Sequence, residues 1–387
     1  MTKKIKVAIV GVGNCASSLV QGIEYYSLRN QEDVPGVMHA NIGGYTTKDI
    51  EVVAAFDVDY RKVGLPLTEA IFQTPNCTLI FQNEFRKKGP VVQKGPILDG
   101  VSSMMLEHDE DISFRIDETQ EPVDVVQILK DTKPDVLVNY LPVGSEQATR
   151  FYAQCCLDAG VAMVNCMPVF IASNPVWAEK FKNAGLPIIG DDIKSQVGAT
   201  IVHRMLARLF GDRGYTLNRT SQDNLGGNSD FLNMLELSRL KSKKISKTQS
   251  VVSQIDVPMN PRDVHIGPSG FNPWLKDNKI AHIRMEGTGF GGAPIEIDMK
   301  MSVIDSPNSA GVVMDAIRFC KLGLDNNFSG PLFYPSAFLM KSPPIQMRDS
   351  VSIEKCSQLA SGLIVYNKVC NHDGIEKIDE SQTIYRE

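Results

Sequence analysis

Ile5–Ala16 reads IKVAIVGVGNCA, an apolar run that passes directly into Gly11-Val-Gly13-Asn14-Cys15-Ala16. Its length and β-branched content predict a strand buried on both faces. The residues from Ala16 to Tyr26 then read as a helix. Strand, GxGxxA and helix in this order form a dinucleotide-binding fingerprint: Gly11 makes the tight turn, Gly13 lets backbone approach a pyrophosphate, and Ala16 permits close helix–strand packing. The pyrophosphate would sit on the helix N-terminus, where free amides and the helix dipole favour an anion.

A second strand, Val52–Phe56, ends at Asp57, placed to accept from the adenosine ribose hydroxyls and to repel a 2′-phosphate, which favours NAD over NADP. Asp57 can also be a plain strand-end turn residue. It lies further from the glycines than the usual interval of about 20 residues, because Asn30–Asp49 reads as an inserted loop. Lys87–Gly100 and the polar stretch to Glu121 carry no assignable chemistry. Asp135–Tyr140 is a third strand, followed by Leu141-Pro142-Val-Gly-Ser-Glu146. Ser145–Ala159 reads as helix, Ala162–Cys166 as strand, Pro175–Ala184 as helix and Pro187–Gly190 as a short strand. This alternation predicts an α/β fold with a parallel, doubly wound sheet. The last strand ends in Asp191 and Asp192, which could share a proton, bind a cation, orient lysines, or cap a helix over Gln196–Phe210.

Beyond Gly211 the pattern changes. Gly214–Thr220 and Asp256–Ile266 look extended, and Lys279–Glu286 and Pro294–Val303 alternate as antiparallel strands joined across Gly287–Gly292. Between them lies Asp223–Lys247, DNLGGNSDFLNMLELSRLKSKKISK. Asn224, Gly226, Gly227 and Asn228 suit a tight loop beside a polar ligand. Asn228, Ser229 or Asp230 can cap a helix through Phe231, Leu232, Leu235 and Leu237. Lys241, Lys243, Lys244 and Lys247 follow, with Lys243 and Lys247 four apart and so on one helical face. Cations at a helix C-terminus can be only a solvated end. In an acidic protein, lysines gathered beside a Gly/Asn loop also suit a small anion such as phosphate, and crowding lets a lysine move protons. Asp305–Ser309 then caps a helix over Ala310–Leu322, and a last helix spans Val351–Asn367 ahead of a polar tail.

The chain has 387 residues, 43% hydrophobic and 22% charged, with net charge −5. That acidity argues against nucleic acid as a partner, which requires a basic footprint. No apolar run reaches the roughly 18 residues of a membrane span, and no signal-peptide pattern precedes the first strand. Eight cysteines without a CxxC pair suit a reducing cytoplasm. The scattered histidines show no metal-ligand spacing.

Taken together, GVGNCAS (11–17), VNYLPVGSE (138–146), VNCMPVF (164–170), GDDIKSQ (190–196) and NLGGNSDF…SKKISK (224–247) resemble the myo-inositol-1-phosphate synthases, above all the shorter archaeal and bacterial form. KIA (279–281), DSPNSAG (305–311) and LMKSPP (339–344) fall where that family has its third lysine, a cofactor-side aspartate and its fourth lysine. The resemblance implies a Rossmann-like NAD domain formed by 1–197 with 306–387, and an inserted α+β catalytic and tetramerisation domain, 198–305. It implies an isomerase of inositol and phospholipid biosynthesis, converting D-glucose 6-phosphate to a myo-inositol monophosphate. NAD-dependent C5 oxidation, enolisation, intramolecular aldol closure and re-reduction make the reaction redox-neutral. It implies catalytic roles for Lys243, Lys247, Lys279, Lys341 and Asp192. Lys243 would move the C5 hydroxyl proton, Lys247 and Lys279 hold phosphate and oxyanions, and Lys341 serve the C1 oxygen. Cofactor contacts would come from Gly11, Gly13, Asn14, Cys15, Ala16, Asp57, Asn139, Tyr140, Leu141, Pro142, Asp191, Asp305, Asn308 and Ser309. Substrate contacts would come from Ser195, Asn224, Asn228 and Asp230. Members differ in needing a divalent metal or a monovalent cation, and Lys276 rivals Lys279 as the third lysine.

Two other readings compete. An ordinary NAD(P)-dependent oxidoreductase would share the nucleotide domain but release NADH. An NAD-sensing protein of the same fold would not need lysines at all these positions.

Overall fold

The computed structural model describes residues 4–30, 35–255 and 259–364. Two sheets organise them. The first is wholly parallel, built from β1 (Ile5–Val10), β2 (Ile50–Asp57), β3 (Val92–Lys94), β4 (Val136–Asn139), β5 (Ala162–Asn165), β6 (Pro187–Ile189) and β11 (Gly330–Pro331). Its order is β11-β6-β5-β4-β1-β2-β3, a doubly wound arrangement that reverses between β1 and β4. Crossover helices cover both faces, which is why β1, β4 and β5 are nearly continuous apolar runs.

Helices α1 (Asn14–Ser27), α9 (Asp305–Asp325), α10 (Phe333–Leu339) and α11 (Asp349–Ala360) pack on one face. The other face carries α3 (Val125–Thr132), α4 (Glu146–Ala159) and α5 (Pro175–Asn183), with Phe56, Leu137, Met163 and Phe181 at its core. A short helix, α2 (Leu67–Ala70), lies between β2 and β3.

The second sheet has order β10-β9-β7-β8, from β7 (Thr216–Gly226), β8 (Val264–Phe271), β9 (Asn278–Thr288) and β10 (Pro294–Ile304). As expected, β9 and β10 form a long antiparallel pair across Gly287–Gly292. Ala281, Ile283 and Met285 of β9 meet apolar residues of α6 (Ala199–Asp212) and α8 (Lys241–Val252) in a separate core.

Several expectations are corrected. Asn224 and Gly226 are not in a loop: β7 runs through them and pairs Asn224 with Ala281. The helix expected over 231–237 is interrupted. Asn228 caps α7 (Ser229–Asn233), accepting from the amides of Asp230 and Phe231, but Leu235 and Leu237 are exposed, so no continuous apolar face exists to carry a helix onward. The chain instead turns through Leu237–Leu240 into α8. Asp191 and Asp192 do not cap α6, which starts at Ala199 from an N-cap at Gly198 without a side-chain cap. Further on, α9 begins at Asp305 itself, since Pro307 is well tolerated in a first turn. The final helix, α11, stops at Ala360, ahead of Gly362 at φ +75°, so the helix expected to Asn367 does not continue through 361–364; its last three residues and the tail fall outside the described residues.

Candidate active site

A long cleft opens where the parallel sheet reverses direction and continues to the second sheet. Gly11 leaves β1 at φ +86°, and a Cβ there would lie 2.6 Å from the carbonyl oxygen of Tyr140, the residue after β4. Only glycine lets those two strand ends close up. Gly13 is different: a Cβ on it would meet nothing within 4 Å. It faces open space as the N-cap of α1, and no side chain occupies the amides of that helix. This cradle fits a pyrophosphate. Asp57 ends β2 on the same cleft, with Oδ2 accepting from Val12 N (2.6 Å) and Oδ1 from Val58 N (2.7 Å) and Asp59 N (2.9 Å). Cys15, Tyr140, Leu141, Pro142, Asp305 and Ser309, all expected cofactor contacts, line the cleft. Burial pushes the Cys15 thiol up to about 12.

Asn14 also reaches the cleft, but its Oδ1 accepts from the amides of Cys77 (2.7 Å) and Thr78 (3.0 Å), so it holds the neighbouring loop. Four expected cofactor residues do not line the cleft. Ala16 is buried in the core under β1. Asn308 bonds the backbone of Val197. Asn139 and Asp191 belong to a buried chain across the strand ends: Asn139 Nδ2 donates to Asn165 Oδ1 (3.0 Å), and Asn165 Nδ2 to Asp191 Oδ1 (2.7 Å). Asp191 also accepts from the amides of Ile171, Ala172 and Ser173. Burial raises its carboxyl to about 6 against those hydrogen bonds.

The other half of the cleft is cationic. Lys243 and Lys247 project from α8, Lys279 from β9 and Lys341 from the segment after α10, and all four line it. Lys276, the rival third lysine, does not line it; it sits in the turn before β9 at φ +51°. Asp192 is the hub. It is fully buried at φ +62°, a left-handed conformation that an aspartate tolerates. Antiparallel pairing with the segment of Lys341 holds it there, Lys341 N donating to Asp192 O (2.7 Å) and Asp191 N to Ser342 O (3.0 Å). Its Oδ1 accepts from Lys341 Nζ (2.9 Å) and lies 3.6 Å from Lys243 Nζ, while Oδ2 accepts from Ser246 Oγ (2.6 Å). Burial would raise this carboxyl, yet Lys243, Lys341 and Ser246 outweigh it and hold it at about 2. Asp305, at the start of α9, pairs with Lys279 at 2.9 Å; burial opposes its charge, but Lys279, Lys341 and Lys243 together keep its carboxyl below the usual range.

The lysines are thereby differentiated. Burial lowers Lys247, and the charges of Lys243, Lys279 and Lys341 lower it further, to about 7. Burial also works against Lys243, but Asp192, Asp230 and Asp305 reverse the effect and raise it. Lys341 is lowered by burial despite Asp192.

Ser195, Asn224, Asn228 and Asp230 border the same cavity. Asn228 Nδ2 donates to Asp277 Oδ1 (2.9 Å). Asn224 Oδ1 accepts from Gln222 Nε2 (3.1 Å), but its buried Nδ2 has no partner among the described residues. The buried hydroxyl of Tyr140 has none either. Such orphaned groups on a cleft wall await a ligand.

Sequence reading missed several wall residues. Gly198, Ala199, Thr200 and Ile201 bring the uncapped N-terminus of α6 to the cationic end, a second anion cradle. Lys62 is buried beside the glycine loop, its Nζ donating to Val12 O and Asn76 Oδ1 at 2.9 Å each. Pro96, Ile97, Gly100, Val101 and Phe114 build an apolar wall near Asp57 from the stretch without assigned chemistry. Among the described residues, no cluster of three or more His, Cys, Asp or Glu could hold a metal, and no helix is long and apolar enough to cross a membrane.

Comparison with known proteins agrees with this geometry. A family model described as myo-inositol-1-phosphate synthase matches residues 198–306. The inositol-3-phosphate synthase of Mycobacterium tuberculosis is 54% identical over 360 residues, which cover 93% of this chain and 96% of that protein. The crystal structure of Ari2 has a TM-score of 0.74 at 33% identity, covering 93% of this chain and 99% of its own. A myo-inositol-1-phosphate synthase-related protein from Thermotoga maritima shares the fold at the same TM-score and 24% identity, covering 93% and 98% of the two chains.

Proposed function

Because the chain belongs to the myo-inositol-1-phosphate synthase family, we propose that this cleft converts D-glucose 6-phosphate to 1D-myo-inositol 3-phosphate with NAD bound along the glycine loop. The chain is an enzyme of the intramolecular isomerase and lyase type, working in inositol biosynthesis. The observation that carries the reading is the convergence of four lysines and two carboxylates on one end of a cleft whose other end is a dinucleotide cradle.

Gly11, Gly13, Asp57 and the Tyr140–Pro142 turn would hold NAD, which would supply a hydride acceptor for C5 and, once reduced, a hydride donor after ring closure. The residues of the chain handle anions and protons. The phosphate fits the N-terminus of α6 beside Ser195 and the lysines. Lys247, held at about 7, takes the C5 hydroxyl proton as the hydride leaves, because among the four lysines lining the cleft it is the one lowered to near physiological pH. Lys243, kept protonated by Asp192, stabilises the oxyanion of the C5 ketone when its acidified C6 loses a proton. This favours Lys247 over Lys243 for the proton transfer that the sequence reading assigned to Lys243. C6 then attacks the C1 aldehyde, and Lys341 donates to the alkoxide formed at C1, the proton lost from C6 restoring the one it gives. Lys279, fixed by Asp305, contributes charge near the phosphate.

The domain division suggested by the sequence is supported by the return of β11 to the first sheet. The long free edge at β10 supports a homotetramer, since such an edge needs cover. Free cysteines support a cytoplasmic setting. The test is incubation with glucose 6-phosphate and sub-stoichiometric NAD, with and without Mg²⁺, Zn²⁺ or ammonium. Inositol phosphate exceeding the NAD supplied, without net NADH, is expected. NADH rising in step with a sugar product would replace the synthase by a dehydrogenase.

A further inference from the structure

We propose that Arg239 is a positioning residue that couples the cofactor end of the cleft to the lysines of α8, an inference that rests on the functional reading above. Arg239 lies in the turn Leu237–Leu240, immediately before α8 and four residues before Lys243. Its side chain leaves the second half of the molecule and lands on the first. Nε donates to Val143 O (2.9 Å), and Nη2 donates to Asp99 O (2.9 Å) and Ser145 Oγ (3.3 Å).

Those acceptors belong to two walls of the dinucleotide cradle. Val143 and Ser145 continue the turn whose Leu141 and Pro142 line the cleft. Asp99 sits in the loop whose Pro96, Ile97, Gly100 and Val101 line it. The Asp99 carboxylate in turn accepts from Gln147 N (2.7 Å) and Ala148 N (2.9 Å), fixing that loop to the start of α4. Gly144 makes room for the contact. It stands at φ +87°, and a Cβ on it would fall 2.5 Å from the Cβ of Arg239. The Arg239 side chain therefore packs against a turn that only glycine allows.

Two neighbours reinforce the junction. Asn233 Nδ2 donates to the same Val143 carbonyl (2.7 Å), and Ser242 Oγ donates to Glu146 Oε1 (3.1 Å). Arg239 is the member that joins both walls at once, which a planar fork with several donors can do and a lysine ammonium cannot. A shift of either wall is passed through Arg239 to the first turn of α8, and so to Lys243 and Lys247. A dinucleotide packed on those walls sets the lysines in place before sugar phosphate arrives. By linkage, each ligand then tightens the other by the same factor.

The experiment uses the full chain and titrates glucose 6-phosphate calorimetrically, with and without saturating NADH, which cannot accept a hydride. In the wild-type protein NADH is expected to tighten glucose 6-phosphate by about tenfold. In Arg239→Gln the factor should fall below about twofold, while the affinity for NADH alone changes by less than about threefold. Arg239→Lys, which keeps the charge but not the fork, should also lose most of the coupling, and it serves if the glutamine variant folds poorly. An unchanged factor in both variants overturns the proposal, even if their thermal midpoints fall. So does a wild-type protein that makes inositol phosphate yet shows no coupling, an outcome that leaves the functional reading intact.

Discussion

Replacing Asp192 by asparagine removes the hub of the lysine cluster while keeping its shape. The folded carboxyl titrates at about 2 instead of 3.8, driven below its usual value by Lys243, Lys341 and Ser246 in spite of burial. At about 1.36 kcal/mol per pH unit, the charged form contributes roughly 2 kcal/mol to the folded state. The sign follows from the depressed pKa. This stability is fully present above pH 3.8 and is lost as pH falls through that value towards 2. Asp192→Asn should therefore unfold at lower urea, by roughly 2 kcal/mol at pH 7, and should lose this part of the acid sensitivity. The penalty stays below the roughly 3–5 kcal/mol of a stranded buried charge, because Lys243 and Lys341 can shed protons once their counter-charge is gone. The same proton loss harms turnover. Lys243 is kept protonated by Asp192, so kcat for inositol phosphate formation should fall at least about 100-fold, with the alkaline limb of its pH profile moving to lower pH. A variant within about threefold of wild-type kcat at pH 7 would refute the assignment of Asp192 as the group that sets the lysine charges.

Lys247, lowered to about 7, should give kcat/KM an ascending limb centred near that pH, because the neutral amine is the working form; Lys247→Arg, always charged, should lose about 100-fold or more, and an unbroken profile through pH 7 would count against its role as base. Gly13→Val should leave the thermal midpoint nearly unchanged, since its Cβ meets nothing, while weakening dinucleotide affinity by about tenfold or more in a fluorescence titration. Asn224→Ala removes a buried donor without a partner among the described residues but also the acceptor of Gln222 Nε2, so denaturation should show a loss of only about 1 kcal/mol, whereas KM for glucose 6-phosphate should rise about 100-fold. Equal losses of stability and binding would mean that Asn224 serves the strand rather than the ligand.

The cradle was legible because its causes are local. An apolar run, a glycine forced to φ +86° and a helix starting at the next turn all follow from neighbouring residues. The same holds for Lys243 and Lys247, four apart on α8. What was hidden depends on partners distant in sequence. β3 and β11 are too short to show a period. Asn224 looked like a loop residue until β9 paired with it. Asn139 and Asp191 stand at strand ends, as ligand contacts do, but they face Asn165 and brace the sheet. The α6 cradle is made of backbone amides, so no side chain announces it.

The return of β11 to the first sheet has a consequence for the newborn chain. β6 ends at Ile189 and its neighbour begins at Gly330, so the 140 residues between them must be synthesised first. At about 5–20 residues per second, a ribosome takes roughly 7–28 s over that interval. Throughout it, the edge of β6 stands open as a template for a stray strand. The lysine that completes the cluster, Lys341, emerges only after the same delay. Nascent chains crowded on one message would therefore meet as catalytically incomplete molecules with a sheet edge still to be covered.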